Sequence, residues 1–446
     1  MTPAASLPMP AIERDTLATF KTPGRRYWLA LLTAAGITAL GTWTFAILMK
    51  RGLGITGLDE PVMWGGLIAS FVAFIGISHS GTLVSAILYF TRSPLRSSVG
   101  RSAEAMTVIA IMTAGLYPLM HMGRTWFAFW LLPYWNQRQL WPNFHSPLIW
   151  DIFAVCCYMT ISILFLYMGM LPDLALLAKR VKGWRRTLYR VMSLGFSNTD
   201  AEWNLFERAY PIFAAVAIPL AVSVHSVVSW DFAMTLVPGW HSTIFAPYFV
   251  AGAIFSGLAM AIILLAFLRK GYNLHAYLRE AHFEILAKLL LAMSFVMTSV
   301  YLTELFMAHY RGSPTEVSIF TFRMFGHYAL VYWVIILCNC VIPLLVLFRR
   351  FRRSIGWMVF VSVAVIIGMW FERFMFVVTS LSHNYEPYGW RFYMLSAKEL
   401  TLCLAGFGFF ALLFMVFAKL LPSISVSETM QAQHAAAHAG DEGAHG

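Results

Sequence analysis

Ten apolar runs, each long enough to cross a bilayer, alternate with polar segments along the 446-residue chain. A helix rises 1.5 Å per residue, so about 20 apolar residues span the hydrocarbon core. The runs cover residues 27–49, 61–90, 103–121 (with an apolar extension to 131), 147–170, 211–230, 245–268, 285–308, 324–348, 355–379 and 398–420. They predict an all-α integral membrane protein with ten spanning helices, grouped as two sets of four (spans two to five and six to nine) between the first and the last. The implied layout is an N-terminal arm (1–26), spans one to four (27–170), a connection (171–210), spans five to ten (211–421) and a tail (422–446). The connection is basic and carries Trp184 and Trp203, which suits an amphipathic segment on the membrane surface. The Ala-, Gly- and His-rich tail reads as disordered rather than as a metal site.

Composition agrees. The chain is 59% hydrophobic and 12% charged, against about 25% charged residues in soluble domains. The net charge of +11 does not point to nucleic acid, because the cations are sorted by loop. Of 32 Lys and Arg, 22 fall on the side that carries both termini and 7 on the other; Lys288, Arg373 and Lys398 lie within or at the edges of spans. By the positive-inside rule both termini are cytoplasmic. The arm before Tyr27 lacks an apolar h-region, so the first span is expected to act as the insertion signal. Five cysteines, Cys156, Cys157, Cys338, Cys340 and Cys403, lie inside apolar runs with no CxxC or CxxCH among them. Iron–sulfur and c-type haem sites are therefore not encoded, and disulfides are not expected.

Ionisable residues inside a membrane are costly and are functional candidates by default. Nearly all of them fall at one end of the spans, the outer end in this orientation: His121, Arg124, Asp151, His225, Asp231, Glu304, Arg323, His327, Glu372 and Arg373. His79, flanked by Ser78, Ser80, Gly81 and Thr82, is the exception, near or past the midplane and without a histidine partner at its own depth.

The stretch from Tyr117 to Asp151 concentrates the chemistry. Tyr117, His121 and Arg124 follow i, i+4, i+7 spacing and share one face if the helix persists. Trp126, Trp130, Trp135, Trp141 and Trp150, with Trp64 from an earlier span start, form an aromatic roof, and Asp151 opens the next span. A carboxylate beside His121 holds one imidazole tautomer and raises its basicity. A quinol hydroxyl bonded to His121 then loses its proton as an electron leaves, with Asp151 taking the second proton and Arg124 stabilising the transient anion. His225, Asp231, Glu304, His327, Glu372 and Arg373 are candidates for a proton path; the plainer alternative is mutual neutralisation of Glu304 and Glu372 with Arg323 and Arg373.

WGGLIASFVAFIGISHSGTLVSAIL, RSAEAMTV and HMGRTWFAFWLLPYWNQRQLWPNFHSPLIWD resemble the NrfD/polysulfide-reductase family of membrane subunits, and within it the C subunit of bacterial alternative complex III. The resemblance runs over most of residues 55–235 and more loosely to about 420. It implies two four-helix bundles with flanking helices in a bacterial inner membrane. The implied chain binds no haem or iron–sulfur cluster itself. It implies quinol (menaquinone or ubiquinone) as substrate near the periplasmic face. The implied partners are c-type cytochrome subunits, a periplasmic iron–sulfur subunit, a second NrfD-like membrane subunit and a terminal oxidase. His121 and Asp151 match the family's proposed quinol-site positions, and His79 would belong to that pocket's inner part or to a proton route; Tyr117 and Arg124 join the quinol-binding set by their spacing from His121. The alternative reading is a proton-coupled secondary transporter using Glu304, Glu372 and His327, which crowding of the polar groups at one end disfavours.

Overall fold

The structure, a computed structural model, describes residues 11–430 except 22, 92–95, 133–143 and 243. All ten spans are helical: Arg25–Arg51, Gly66–Phe90, Arg96–His121, Pro147–Ala178, Asp200–Ala233, Phe245–Gly271, Glu280–Arg311, Ala329–Leu347, Ile355–Ser382 and Ala397–Leu420, hereafter spans 1 to 10. There is no β-strand among the described residues.

Most spans overrun their apolar cores because polar residues at the ends can still be helical. Span 3 begins at Arg96 rather than 103, which draws Arg101 and Glu104 into the helix. Span 4 continues through Pro172 to Ala178, and span 5 begins at Asp200, where Thr199 and Glu202 form a capping box. The basic connection thus shortens to a segment around the amphipathic helix Trp184–Met192. At the other end of the chain, Arg323 does not open span 8. It lies in a separate short helix, Pro314–Phe325.

Span 8 changes its winding from α to π over Leu337–Val341 and to 3-10 over Ile342–Leu347. Pro343 has no N–H to give the carbonyl of Asn339 one turn back. Ser294 of span 7 supplies that bond, its Oγ donating to the Asn339 carbonyl at 2.6 Å.

Spans 2 to 5 pack as one bundle and spans 6 to 9 as another, joined chiefly where span 2 meets span 6. There Gly257 lies directly against Ser80, an approach any larger residue would block. Span 10 pairs with span 1 and leans on spans 2 and 3. Contacts at the two ends show span 10 running antiparallel to span 1 and ending its first turn beside the start of span 2. At the end where span 1 begins and span 10 finishes, called the basic end here, Tyr27 donates to the carbonyl of Met415 at 3.1 Å. At the opposite end, called the site end, Glu399 accepts from the backbone N–H of Gly57 (2.9 Å) and Gly66 (3.0 Å) and from the hydroxyl of Tyr393.

Candidate functional site

The site end of spans 4 and 5 carries the central feature. Asp151, near the start of span 4, and Asp231, near the end of span 5, bring their carboxyl groups close enough to interact. Both are buried, and each keeps one oxygen, Oδ1, without a partner in the protein. Two carboxylates this close disfavour each other's charge, which suits a pair that binds a proton in common. The residues just before them meet as well: Trp150 and Trp230 pack edge to face with ring centroids 6.2 Å apart. Antiparallel spans of matched register bring the two Trp-Asp pairs together.

This pairing differs from the sequence expectation of an Asp151–His121 couple. Among the described residues Asp151 makes no ion-pair contact with His121, whose Nδ1 is buried and unpartnered. The supposed face of Tyr117, His121 and Arg124 is also broken. The helix ends at His121, and Gly123 turns the chain with φ +69°, a conformation suited to glycine. Arg124 is exposed beyond that turn. Tyr117 points into the core instead, stacking on Phe74 (5.9 Å) and donating to the carbonyl of Cys403 at 2.8 Å. The site end therefore pairs Asp151 with Asp231, while His121 closes span 3 with its own unpartnered Nδ1 and Tyr117 serves as packing.

Of the aromatic roof, Trp64 packs on Phe232 (5.5 Å), the residue after Asp231, and on Trp240 (5.7 Å). Trp240 joins the roof although its place in the sequence gave no sign of it; its indole N–H donates to the carbonyl of Phe376 at 3.0 Å. Trp126 and Trp130 are exposed on a 3-10 segment, Thr125–Leu131. Trp135 and Trp141 lie outside the described residues.

Deeper in the first bundle, His79 does have a histidine partner. Span 2 begins at Gly66, so His79 sits 13 residues, about 20 Å, along it. Its ring stacks on Tyr158 (4.5 Å) and meets the edge of His225 (4.8 Å). Span 5 reaches Ala233, which places His225 two turns inside the helix rather than at its end. Neither ring nitrogen of His225 has a partner, whereas Nδ1 of His79 bonds the carbonyl of Ile75 at 2.6 Å. Tyr158 Oη lies within hydrogen-bond distance of the Ser78 carbonyl (3.0 Å) and Thr82 Oγ1 (3.2 Å).

Below this column, at the basic end, lies a buried charge network that the sequence pattern did not reveal. Arg101 donates to Asp173 at 3.1 Å and stands 3.9 Å from Glu104, while Glu104 accepts from Ser85 (2.7 Å) and Tyr210 (2.8 Å). Residues 421–430 close over it: the backbone N–H of Ser427 donates to Asp173 (2.8 Å), and Arg96 pairs with Glu428 (2.5 Å). Burial raises the tendency of the Glu428 carboxyl to keep its proton, and the neighbouring Arg96 opposes this. In the sequence, Arg101 and Asp173 look like loop charges, and Glu104 sits at the very edge of its apolar run. The apolar run on both sides of Asp173 (MGMLPDLALLA) was the available signal.

In the second bundle, Glu372 does not pair with Arg323. It accepts from Tyr248 (2.8 Å), Tyr301 and Asn339 Nδ2 (3.2 Å), and lies 3.3 Å from Arg373. The Arg373 guanidinium sits over the Phe249 ring at 4.5 Å. Arg323 donates to Thr379 (2.7 Å) and Ser380 (3.1 Å); its environment lowers its proton affinity by desolvation, opposed by nearby Glu304. Glu304, Glu372 and Arg323 line a cavity of about 50 Å³. His327 is exposed in the turn before span 8, between Phe322 and Phe392, and so stands outside this cluster.

The family model described as "Polysulphide reductase, NrfD" matches residues 54–383, from before span 2 to the end of span 9. The chain belongs to the NrfD family. Among relatives of this NrfD protein is a putative dimethyl sulfoxide reductase membrane subunit from Halobacterium salinarum, 30% identical over 251 residues (56% of this chain, 53% of the relative). A selenate reductase subunit from Mesobacillus selenatarsenatis is 25% identical over 238 residues, covering 52% and 54%. The Hdr-like menaquinol oxidoreductase integral membrane subunit of Archaeoglobus fulgidus is 23% identical over 246 residues, covering 54% and 51%. The chain thus spans about half the length of the curated relatives it matches. It is a multi-pass integral membrane NrfD protein, related to membrane subunits of oxidoreductase complexes.

Proposed function

We propose that this chain is the quinol-oxidising membrane subunit of a respiratory oxidoreductase of the alternative complex III type. The observation that carries the reading is the Asp151–Asp231 pair, buried at the membrane's edge with one free oxygen on each carboxyl and with the free Nδ1 of His121 at the end of span 3. A quinol gives up two protons and two electrons on oxidation. The carboxyl pair accepts one hydroxyl proton and His121 the other, each acting as a general base. Both electrons pass to an iron–sulfur cluster of a partner subunit docked over the site end, and onward to c-type cytochromes or an oxidase. The word menaquinol in the name of the Archaeoglobus fulgidus relative supports a quinol substrate; menaquinol and ubiquinol both fit the chemistry.

The lysine and arginine asymmetry supports a cytoplasmic basic end and a site facing the outside of a bacterial inner membrane. A second NrfD-like subunit beside this one completes the membrane part. Protons released at the site are then scalar. A transmembrane route would run through His225, His79 and Tyr158 to Glu104 in the first bundle, with Glu304, Glu372 and Arg373 serving the second.

The test is quinol:acceptor turnover in assembled complexes carrying Asp151→Asn, Asp231→Asn or His121→Ala. Each should lose most of its turnover while its iron–sulfur partner remains bound. Wild-type turnover in both assembled aspartate variants would sink the reading.

A further inference from the structure

An apolar groove of about 730 Å³ opens between spans 1, 6 and 10, away from the quinol site and lined by residues such as Ala30, Ile37, Leu264, Phe267, Ala411 and Met415. It falls in the size range of ligand clefts, ~300–1,000 Å³. The lining starts within about a turn and a half of the basic end of each helix: Ala30 follows Arg25, Phe267 precedes Gly271 and Met415 precedes Leu420.

What marks the groove is how each of its three walls ends. Residues three or four apart share a helix face. Stepping from Ala30 towards the basic end reaches Arg26; from Phe267 the step reaches Lys270; from Met415 it reaches Lys419. Three separate helices therefore finish the same apolar surface with a cation. Among the described residues none of the three has a carboxylate partner, although neighbouring Arg269 is paired with Glu280 at 3.6 Å. Lys419 is held in place by donating to the carbonyls of Thr19 (2.6 Å) and Lys21 (3.1 Å), with its ammonium 5.4 Å from the Tyr27 ring and 5.0 Å from the Tyr272 ring. These neutral partners fix its position and leave its charge uncompensated.

We propose that the groove is a binding site for an anionic phospholipid, its acyl chain lying along spans 1, 6 and 10 and its phosphate held by Arg26, Lys270 and Lys419. A hydrocarbon tail satisfies the walls, and only an anion satisfies the rim. A quinone has the tail without the charge, and a partner helix would need a carboxylate at one fixed register.

The experiment is native mass spectrometry of the delipidated complex titrated with phosphatidylglycerol or phosphatidylcholine. The wild type should take up one phosphatidylglycerol about tenfold more tightly than phosphatidylcholine. Arg26 and Lys270 are exposed, so the double variant R26Q/K270Q should fold normally and lose most of that preference; K419Q should lose more. Ala30→Trp with Ala411→Trp keeps every charge and fills the groove, and should abolish uptake of both lipids. Equal uptake of the two lipids by the wild type overturns the proposal. So does undiminished phosphatidylglycerol uptake in the groove-filled variant, or exclusion of phosphatidylglycerol by a quinone tail or a partner helix already seated there.

Discussion

The carboxyl groups of Asp151 and Asp231 approach each other across the antiparallel packing of spans 4 and 5, both buried, next in sequence to the Trp150–Trp230 ring contact. Two acids from different helices thereby act as one proton-binding unit. If this unit is the base for a quinol hydroxyl, Asp231→Asn should reduce turnover as much as Asp151→Asn, by about 10²-fold or more, the usual contribution of a positioned base. The double variant should be little worse than either single one, because the residues work together. Stopped-flow quinol oxidation in assembled complexes checks this. Additive losses would mean two independent roles.

Arg101 and Asp173 form an ion pair with almost no exposure, 2% and 0%. Removing one partner of such a pair leaves an uncompensated buried charge and costs about 3–5 kcal/mol. Asp173→Asn should therefore lower the thermal midpoint of the purified protein sharply. Arg101→Met combined with Asp173→Leu and Glu104→Gln, which removes the buried charges together, should recover much of it. Measuring both midpoints by intrinsic fluorescence decides; equal loss in the single and triple variants would contradict a charge-based account.

Glu372 has three hydrogen-bond donors and an arginine neighbour, whereas Glu304 borders the small cavity it shares with Arg323. Glu372→Gln should destabilise the second bundle, and Glu304→Gln should leave assembly intact. In sealed vesicles, loss of acidification per electron in Glu304→Gln at preserved quinol turnover would support a transmembrane proton route. Acidification equal to that of scalar release would assign both glutamates to structure.

His383, outside the spans, stacks on Trp390 (3.5 Å) and Phe322 (4.7 Å), with Nε2 bonded to Ser318 Oγ at 2.6 Å. Burial lowers its proton affinity below the ordinary histidine value of 6.5. The unfolded chain then binds more protons than the folded one just below pH 6.5, so stability rises with pH in that window and falls as the pH drops through it. Thermal midpoints of wild type and His383→Gln should diverge less as the pH falls from about 7 towards about 5. A constant gap would show that His383 does not titrate on unfolding.

Orientation is open to direct labelling. Lys182 and Arg353 are exposed at the basic end and Glu386 at the site end. Single cysteines at the first two positions should react with an impermeant maleimide only from the cytoplasmic side, and one at Glu386 only from outside. The reverse pattern would invert the proposed topology.

The ten spans were legible because hydropathy and length along the membrane normal are properties of a linear stretch. So was the collection of acids, histidines and arginines at one end, since position within a span gives depth. Two kinds of feature were not. Residues at span edges changed depth when the helices proved longer than their apolar cores: Arg101, Glu104 and Asp173 became buried, and His225 moved inward to meet His79. Partner choice was the other. A sequence sets how deep a side chain sits but not the rotation of each helix about its own axis, which follows from packing such as Gly257 against Ser80 and Tyr117 over Gly406. That rotation turned Tyr117 into the core and set Asp151 against Asp231 instead of His121.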